Sequence, residues 1–121
     1  SRNTAQRHMN TLGFNNIEFA EHGLKAWELL EAAHKEGKPF DLVLSDWIMP
    51  ELDGLGLLEK IKESGWEEIP PLLMLTAETA PKQVLEAVKA GISGYVTKPI
   101  QLESLKNTLE ALERRSQKQA A

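Results

Sequence analysis

Asp46, Thr76 and Lys98 are the residues whose types and spacing point to chemistry. Each closes a short apolar run. Leu42–Val43–Leu44 leads into Ser45–Asp46, Leu72 to Leu75 into Thr76–Ala77, and Gly94–Tyr95–Val96–Thr97 into Lys98–Pro99. Runs this brief, bounded by polar residues, read as strands buried on both faces, as in parallel sheets. In open α/β sheets, ligands bind at the carboxyl ends of the strands. A carboxylate, a hydroxyl and an ammonium closing successive strands would meet in one crevice there. Taken alone, a strand-end aspartate is ordinarily a turn or capping residue. Together the three supply a nucleophile, a hydroxyl donor and a point cation, the groups that phosphoryl transfer to a carboxylate needs.

The elements that must position these groups alternate along the chain. Residues 1–12 carry Met9 and Leu12 on one face of an amphipathic helix, with Gly13 as its C-cap. Ile17, Phe19 and Ala20 give a short strand. Leu24, Trp27, Leu30 and Ala33 form one helical stripe that ends at Gly37–Pro39. The strand Leu42 to Ser45 follows, and Pro50 with Asp53–Gly54 punctuates the loop after Asp46. A helix from Gly54 to about Ser64 presents Leu55, Leu57, Leu58 and Ile61. The stretch GWEEIPP is a loop, because consecutive prolines cannot continue a helix, and Trp66 within it is expected at the surface. After the strand Leu72 to Leu75, Pro81 suits the first turn of a helix bearing Val84, Leu85 and Val88 and stopping near Gly91. The strand Tyr95 to Thr97 precedes a last helix built on Leu102, Leu105, Leu109 and Leu112. Its polar end, residues 114–121, is expected to fray. Such alternation implies a parallel sheet with helices on both sides. Residues 1–121 form a single domain on this reading.

Composition narrows the function. The net charge is −4, with both signs interspersed, which argues against a dedicated nucleic-acid binder lacking a basic patch. No segment approaches the length of a membrane span and no signal peptide opens the chain, so membrane insertion is not expected and a cytoplasmic location is. The absence of cysteine removes disulfides and thiolate metal sites and fits a reducing compartment. His8, His22 and His34 share no ligand spacing and are expected to be solvated.

The segments LGFNNIEFAEHG, SDWIMPELDGLGLL, PLLMLTAE and AGISGYVTKP, followed by the final amphipathic helix, resemble the receiver domains of two-component response regulators, in particular the chemotaxis (CheY-like) type. Asp followed by Met–Pro, then Asp–Gly, Thr–Ala and Lys–Pro, at these separations, is a specific set. The resemblance implies a flavodoxin-like, doubly wound α/β fold with a parallel sheet of strand order 2-1-3-4-5. It implies that Asp46 accepts a phosphoryl group from a histidine kinase or a small phosphodonor. No enzymatic activity is implied beyond the domain's own phosphorylation and dephosphorylation. Thr76, Lys98 and the backbone N–H of Ala77 would receive the phosphoryl oxygens, with Lys98–Pro99 a cis bond that directs the lysine. Thr76 and Tyr95 would form the switch pair. Asp46 and the backbone carbonyl of Ile48 would ligate Mg2+, while Met49, Pro50, Asp53 and Gly54 shape the loop. Trp47 strengthens the chemotaxis-type likeness. Ile48 departs from the polar residue some of these regulators carry and, with Glu78, lies where side chains reach over the site.

Receivers of this type open with an apolar strand ending in an acidic pair that helps to hold magnesium. Here Ser1 stands where the family enters its first helix. Magnesium binding is therefore expected to be weakened, unless Glu51 or Asp53 completes the site. Ile17–Ala20 and Leu42–Ser45 flank that opening strand in the family order. They are expected either to pair with each other or to accept an element exchanged from another chain in a homo-oligomer. The leading reading is thus a phosphoacceptor that binds a histidine kinase and then a downstream protein through the face of Pro81–Ala90, Tyr95 and the last helix. An alternative is a receiver-fold interaction module impaired in phosphorylation. A small hydrolase or nucleotide binder ranks far below both, since there is no glycine-rich phosphate loop, nucleophile elbow or Ser–His pairing.

Overall fold

The computed structural model describes residues 2–20, 22–46, 53–67, 69–77 and 81–118. In chain order the elements are α1 (Arg2–Thr11), α2 (Gly23–Lys35), β1 (Val43–Asp46), α3 (Gly54–Glu63), β2 (Leu72–Ala77), α4 (Pro81–Ala90), β3 (Gly94–Lys98) and α5 (Leu102–Lys118). The strands form one parallel sheet in the order β1-β2-β3. Its register sets Asp46 beside Leu75, Thr76 beside Thr97, and Ala77 beside Lys98.

Alternation along the strands divides the core into two layers. On one face Leu72 and Met74 pack with Leu30 of α2, Leu57, Leu58 and Ile61 of α3, and Ala87 of α4. On the other, Leu73 and Val96 pack with Met9 of α1, Ile100, and Leu105 of α5. Most of the apolar stripes read from the sequence bury as core, with helices on both faces of a parallel sheet, whereas Leu24 of α2 and Leu85 and Val88 of α4 stay exposed.

Local signals end the helices where they were expected. Gly13 adopts φ +101°, a left-handed conformation natural to glycine. Phe14 N–H then donates to Met9 C=O at 2.9 Å and Gly13 N–H to Asn10 C=O at 3.1 Å. This double return is a Schellman motif, sealed by Phe14 and Met9 in the same apolar cluster. Pro81 opens α4 and Asp53 caps α3, its carboxylate accepting from Gly56 N–H at 2.9 Å. The last helix continues beyond its leucine stripe to Lys118.

Three expectations are corrected. Ile17–Ala20 is not a strand of the sheet, and the pairing of this stretch with Leu42–Ser45 is not formed. An apolar run becomes a strand only where another strand's backbone lies at ladder distance, and among the described residues the sheet consists of β1, β2 and β3. Ile17 nevertheless packs with Leu42 and Leu44 against the α1–α5 side of the core. Trp66 is not a free surface residue. Its ring stacks on Trp27 at a centroid distance of 5.2 Å and on His34 at 4.4 Å, closing the α2–α3 layer. Of the histidines, expected to be solvated, His34 is exposed as expected, while His8 and His22 are half-buried and each makes a specific contact. His34 joins that stack, His22 Nδ1 caps α2 by accepting from Lys25 N–H, and His8 Nε2 lies 3.1 Å from the carbonyl of Ile100.

Candidate functional site

Parallel strands bring their carboxyl ends to one edge of the sheet, and that edge carries Asp46, Thr76–Ala77 and Lys98. Asp46 and Lys98 come from β1 and β3, which are not neighbours. The lysine reaches past the end of β2, and its ammonium forms an ion pair with Asp46 Oδ1. The two side chains remain 46% and 50% exposed, yet Oδ1 itself is sealed from solvent beneath the ammonium. The exposure of Asp46 therefore falls on its other atoms. An exposed carboxylate oxygen beside a point cation suits attack on an electrophile whose negative charge the cation receives.

Thr76 sits one residue beyond the register partner of Asp46, is 3% exposed, and donates its hydroxyl to the carbonyl of Ala77 at 3.3 Å. That bond is long and local, so the hydroxyl has no strong competing acceptor. Ala77 is exposed at the end of β2. Tyr95 lies beside Met74, two residues before the partner of Thr76, so Tyr95 and Thr76 share the sheet face that packs on α4. The tyrosine is 46% exposed. The Lys98–Pro99 peptide bond is cis.

The structure thus brings Asp46, Thr76, Ala77 and Lys98 together, with Tyr95 on the face adjoining Thr76. Trp47, Ile48, Met49, Pro50, Glu51 and Glu78 lie outside the described residues. Asp53 acts as the α3 cap, and Gly54 is buried in its first turn. Among the described residues, no three His, Asp or Glu side chains gather as a metal would require. Asp46 contributes one carboxylate whose Oδ1 already holds Lys98. A magnesium shell of six oxygens is not assembled by these residues.

Two long-range contacts had no sequence signal. His8 reaches Ile100 across 92 positions, and Lys62 of α3 donates to Ala90 C=O at the end of α4. Lone polar residues paired at such separations leave no periodic or motif trace. The nearest available hint was the weakly apolar character of the first helix, which leaves room for a polar contact on its inner face.

Comparison with known proteins agrees with this geometry. Residues 1–110 match the response regulator receiver domain family. The chain is 38% identical over 112 residues to chemotaxis protein CheY1 of Helicobacter pylori, covering 92% of this chain and 83% of that protein. It is 41% identical over 101 residues to chemotaxis protein CheY-3 of Vibrio cholerae, covering 84% and 74% respectively. The solved structure of Vibrio cholerae chemotaxis protein CheY4 superposes with a TM-score of 0.75 at 28% identity, over 92% of this chain and 88% of that one. A parallel sheet flanked by helices, with Asp, Thr and Lys closing successive strands and relatives of this likeness, identifies the chain as a member of the response regulator receiver domain family, of the CheY-like, flavodoxin-like type.

Proposed function

We propose that this chain is a phosphoacceptor switch of a chemotaxis-type two-component system, in which Asp46 is the phosphorylated residue. Receiver domains are signalling domains rather than turnover enzymes. The observation that carries the assignment to Asp46 is its ion pair with Lys98, formed across the end of β2 by strands that are not adjacent. With Oδ1 under the lysine, Oδ2 is the oxygen available to attack phosphorus. A new O–P bond forms, the bond from phosphorus to the donor breaks, and the donor leaves as histidine or, from acetyl phosphate, as acetate. Lys98 takes up the phosphoryl charge, and Thr76 Oγ1 and the N–H of Ala77 donate to other phosphoryl oxygens.

The response follows from the same geometry. Thr76 gives up its long bond to Ala77 C=O and turns to the phosphoryl group, and the Tyr95 ring follows inward on the face they share. Leu85 and Val88 of α4 are 56% and 53% exposed, and Tyr95 is 46% exposed. Together with α5 they form the surface we assign to the downstream protein, while a histidine kinase is the phosphodonor. Family members typically take magnesium, whose charge would neutralise the transferring group. The described residues do not build its shell. No described helix is long and apolar enough to cross a membrane, which supports a cytoplasmic assignment, and residues 1–121 act as one domain.

A second reading, an interaction module impaired in phosphorylation, is favoured by the single carboxylate that the described residues bring to the crevice. Treating the chain with acetyl phosphate and magnesium and weighing it intact separates the two. A phosphoryl adduct that maps to Asp46 supports the switch; an unmodified chain supports the module.

A further inference from the structure

We propose that His8 is a positioning residue for Lys98, holding through the carbonyl of Ile100 the segment from which the lysine reaches Asp46. The contact joins Nε2 of a half-buried α1 side chain to Ile100 O at 3.1 Å. A carbonyl only accepts, so the imidazole carries its proton on Nε2 and donates. Ile100 lies between the last residue of β3 and the first of α5, outside both hydrogen-bonding ladders. Its side chain is buried in the cluster that includes Met9, the neighbour of His8. The segment is therefore held to α1 twice, once through the Ile100 side chain and once through its carbonyl. The apolar contact fixes where the segment lies, and the hydrogen bond fixes how its peptide plane is turned.

Orientation matters because of the distance Lys98 must span. Neighbouring strands are about 4.8 Å apart, so β1 and β3 are separated by about 10 Å. The lysine crosses that gap past the end of β2 to meet Asp46. Over such a reach, a small rotation at the base of the side chain moves the ammonium by ångströms. Between Lys98 and Ile100 stands Pro99, whose ring fixes φ and leaves few torsions to absorb a rotation. A restraint at Ile100 C=O is thereby passed back to Lys98. His8 touches neither reactant nor Asp46 and acts only through this segment.

The test compares His8→Leu, which removes the donor, with His8→Gln, whose amide N–H reaches about as far as Nε2. His8→Asn, polar but too short, serves if the leucine variant does not fold. The first readout uses the unmodified protein: the Lys98 ammonium signal in 15N NMR, assigned with Lys98→Ala, and its hydrogen-exchange rate. Loss of one ordinary hydrogen bond corresponds to about three- to tenfold faster exchange in His8→Leu or His8→Asn, with His8→Gln close to the parent. The second readout is the rate of adduct formation from acetyl phosphate. His8→Leu slows it in the parent and changes nothing in the Lys98→Ala background. Unchanged Lys98 exchange in a folded donor-less variant overturns the proposal, as does an equal slowing with and without Lys98. The mechanistic half rests on the phosphoacceptor reading. If the parent itself takes no phosphoryl group, that reading fails, while the exchange measurement still decides the role of His8.

Discussion

Replacing Lys98 by alanine should separate stability from response. The Lys98–Asp46 pair is half-exposed on both sides, 50% and 46%. A pair of that exposure contributes at most about 1 kcal/mol, after solvent screening and the entropy of holding two side chains. A fully buried pair broken on one side would instead cost about 3–5 kcal/mol. Urea denaturation of Lys98→Ala should therefore shift stability by no more than about 1 kcal/mol, or a melting temperature by no more than about 5 °C. The phosphorylated state is different, because there the ammonium meets a phosphoryl oxygen. A hydrogen bond to a charged group is worth about 1.5–3 kcal/mol, which corresponds to a roughly 10- to 100-fold weaker coupling between phosphorylation and the inward state of Tyr95. The assay is NMR of the tyrosine ring before and after acetyl phosphate, with the phosphoryl fraction read by intact mass. Much of the phosphorylation should survive while the Tyr95 shift is largely lost. A full Tyr95 shift in the mutant would refute the role of Lys98, and a loss of 3 kcal/mol or more would show that the pair is structural.

Three further outcomes follow from burial, capping and sheet edges. Leu105→Ala, at a position with 0% exposure, should cost about 2–5 kcal/mol in urea denaturation, whereas Leu85→Ala, 56% exposed, should stay within about 0.5 kcal/mol and weaken downstream binding instead. Asp53→Ala removes the cap on Gly56 N–H and should cost about 0.5–2 kcal/mol with magnesium affinity unchanged; a drop in that affinity would make Asp53 a ligand. Since β1 pairs with β2 on one side and no described strand flanks the other, light scattering should show mass rising with concentration as chains associate at that edge. A monomer mass at every concentration would contradict this.

Periodicity and punctuation made most of the fold legible. Leu57, Leu58 and Ile61, or Leu105 and Leu109, fall on helical stripes because a helix packed on a sheet buries one face. Gly13 and Pro81 mark ends because only certain backbones fit there. Asp46, Thr76 and Lys98 were visible as strand-end polar residues, and parallel pairing brings strand ends together. What stayed hidden depends on partners rather than on local pattern. The apolar run Ile17–Ala20 has the composition of a strand, yet a strand exists only where a neighbour lies at ladder distance. Trp66 sits in a polar loop, and nothing nearby announces that Trp27 and His34 will stack on it. The bond from His8 to Ile100 joins residues 92 positions apart, beyond the reach of any spacing rule.

The most direct test is to treat the chain and its Asp46→Asn variant with acetyl phosphate and magnesium, weigh both intact, and trap the acyl phosphate chemically to locate it. A single phosphoryl adduct on the parent, mapped to Asp46 and absent from a variant that remains folded, is the expected result. An undiminished adduct on Asp46→Asn, or none on the parent, would contradict the assignment of Asp46 as phosphoacceptor.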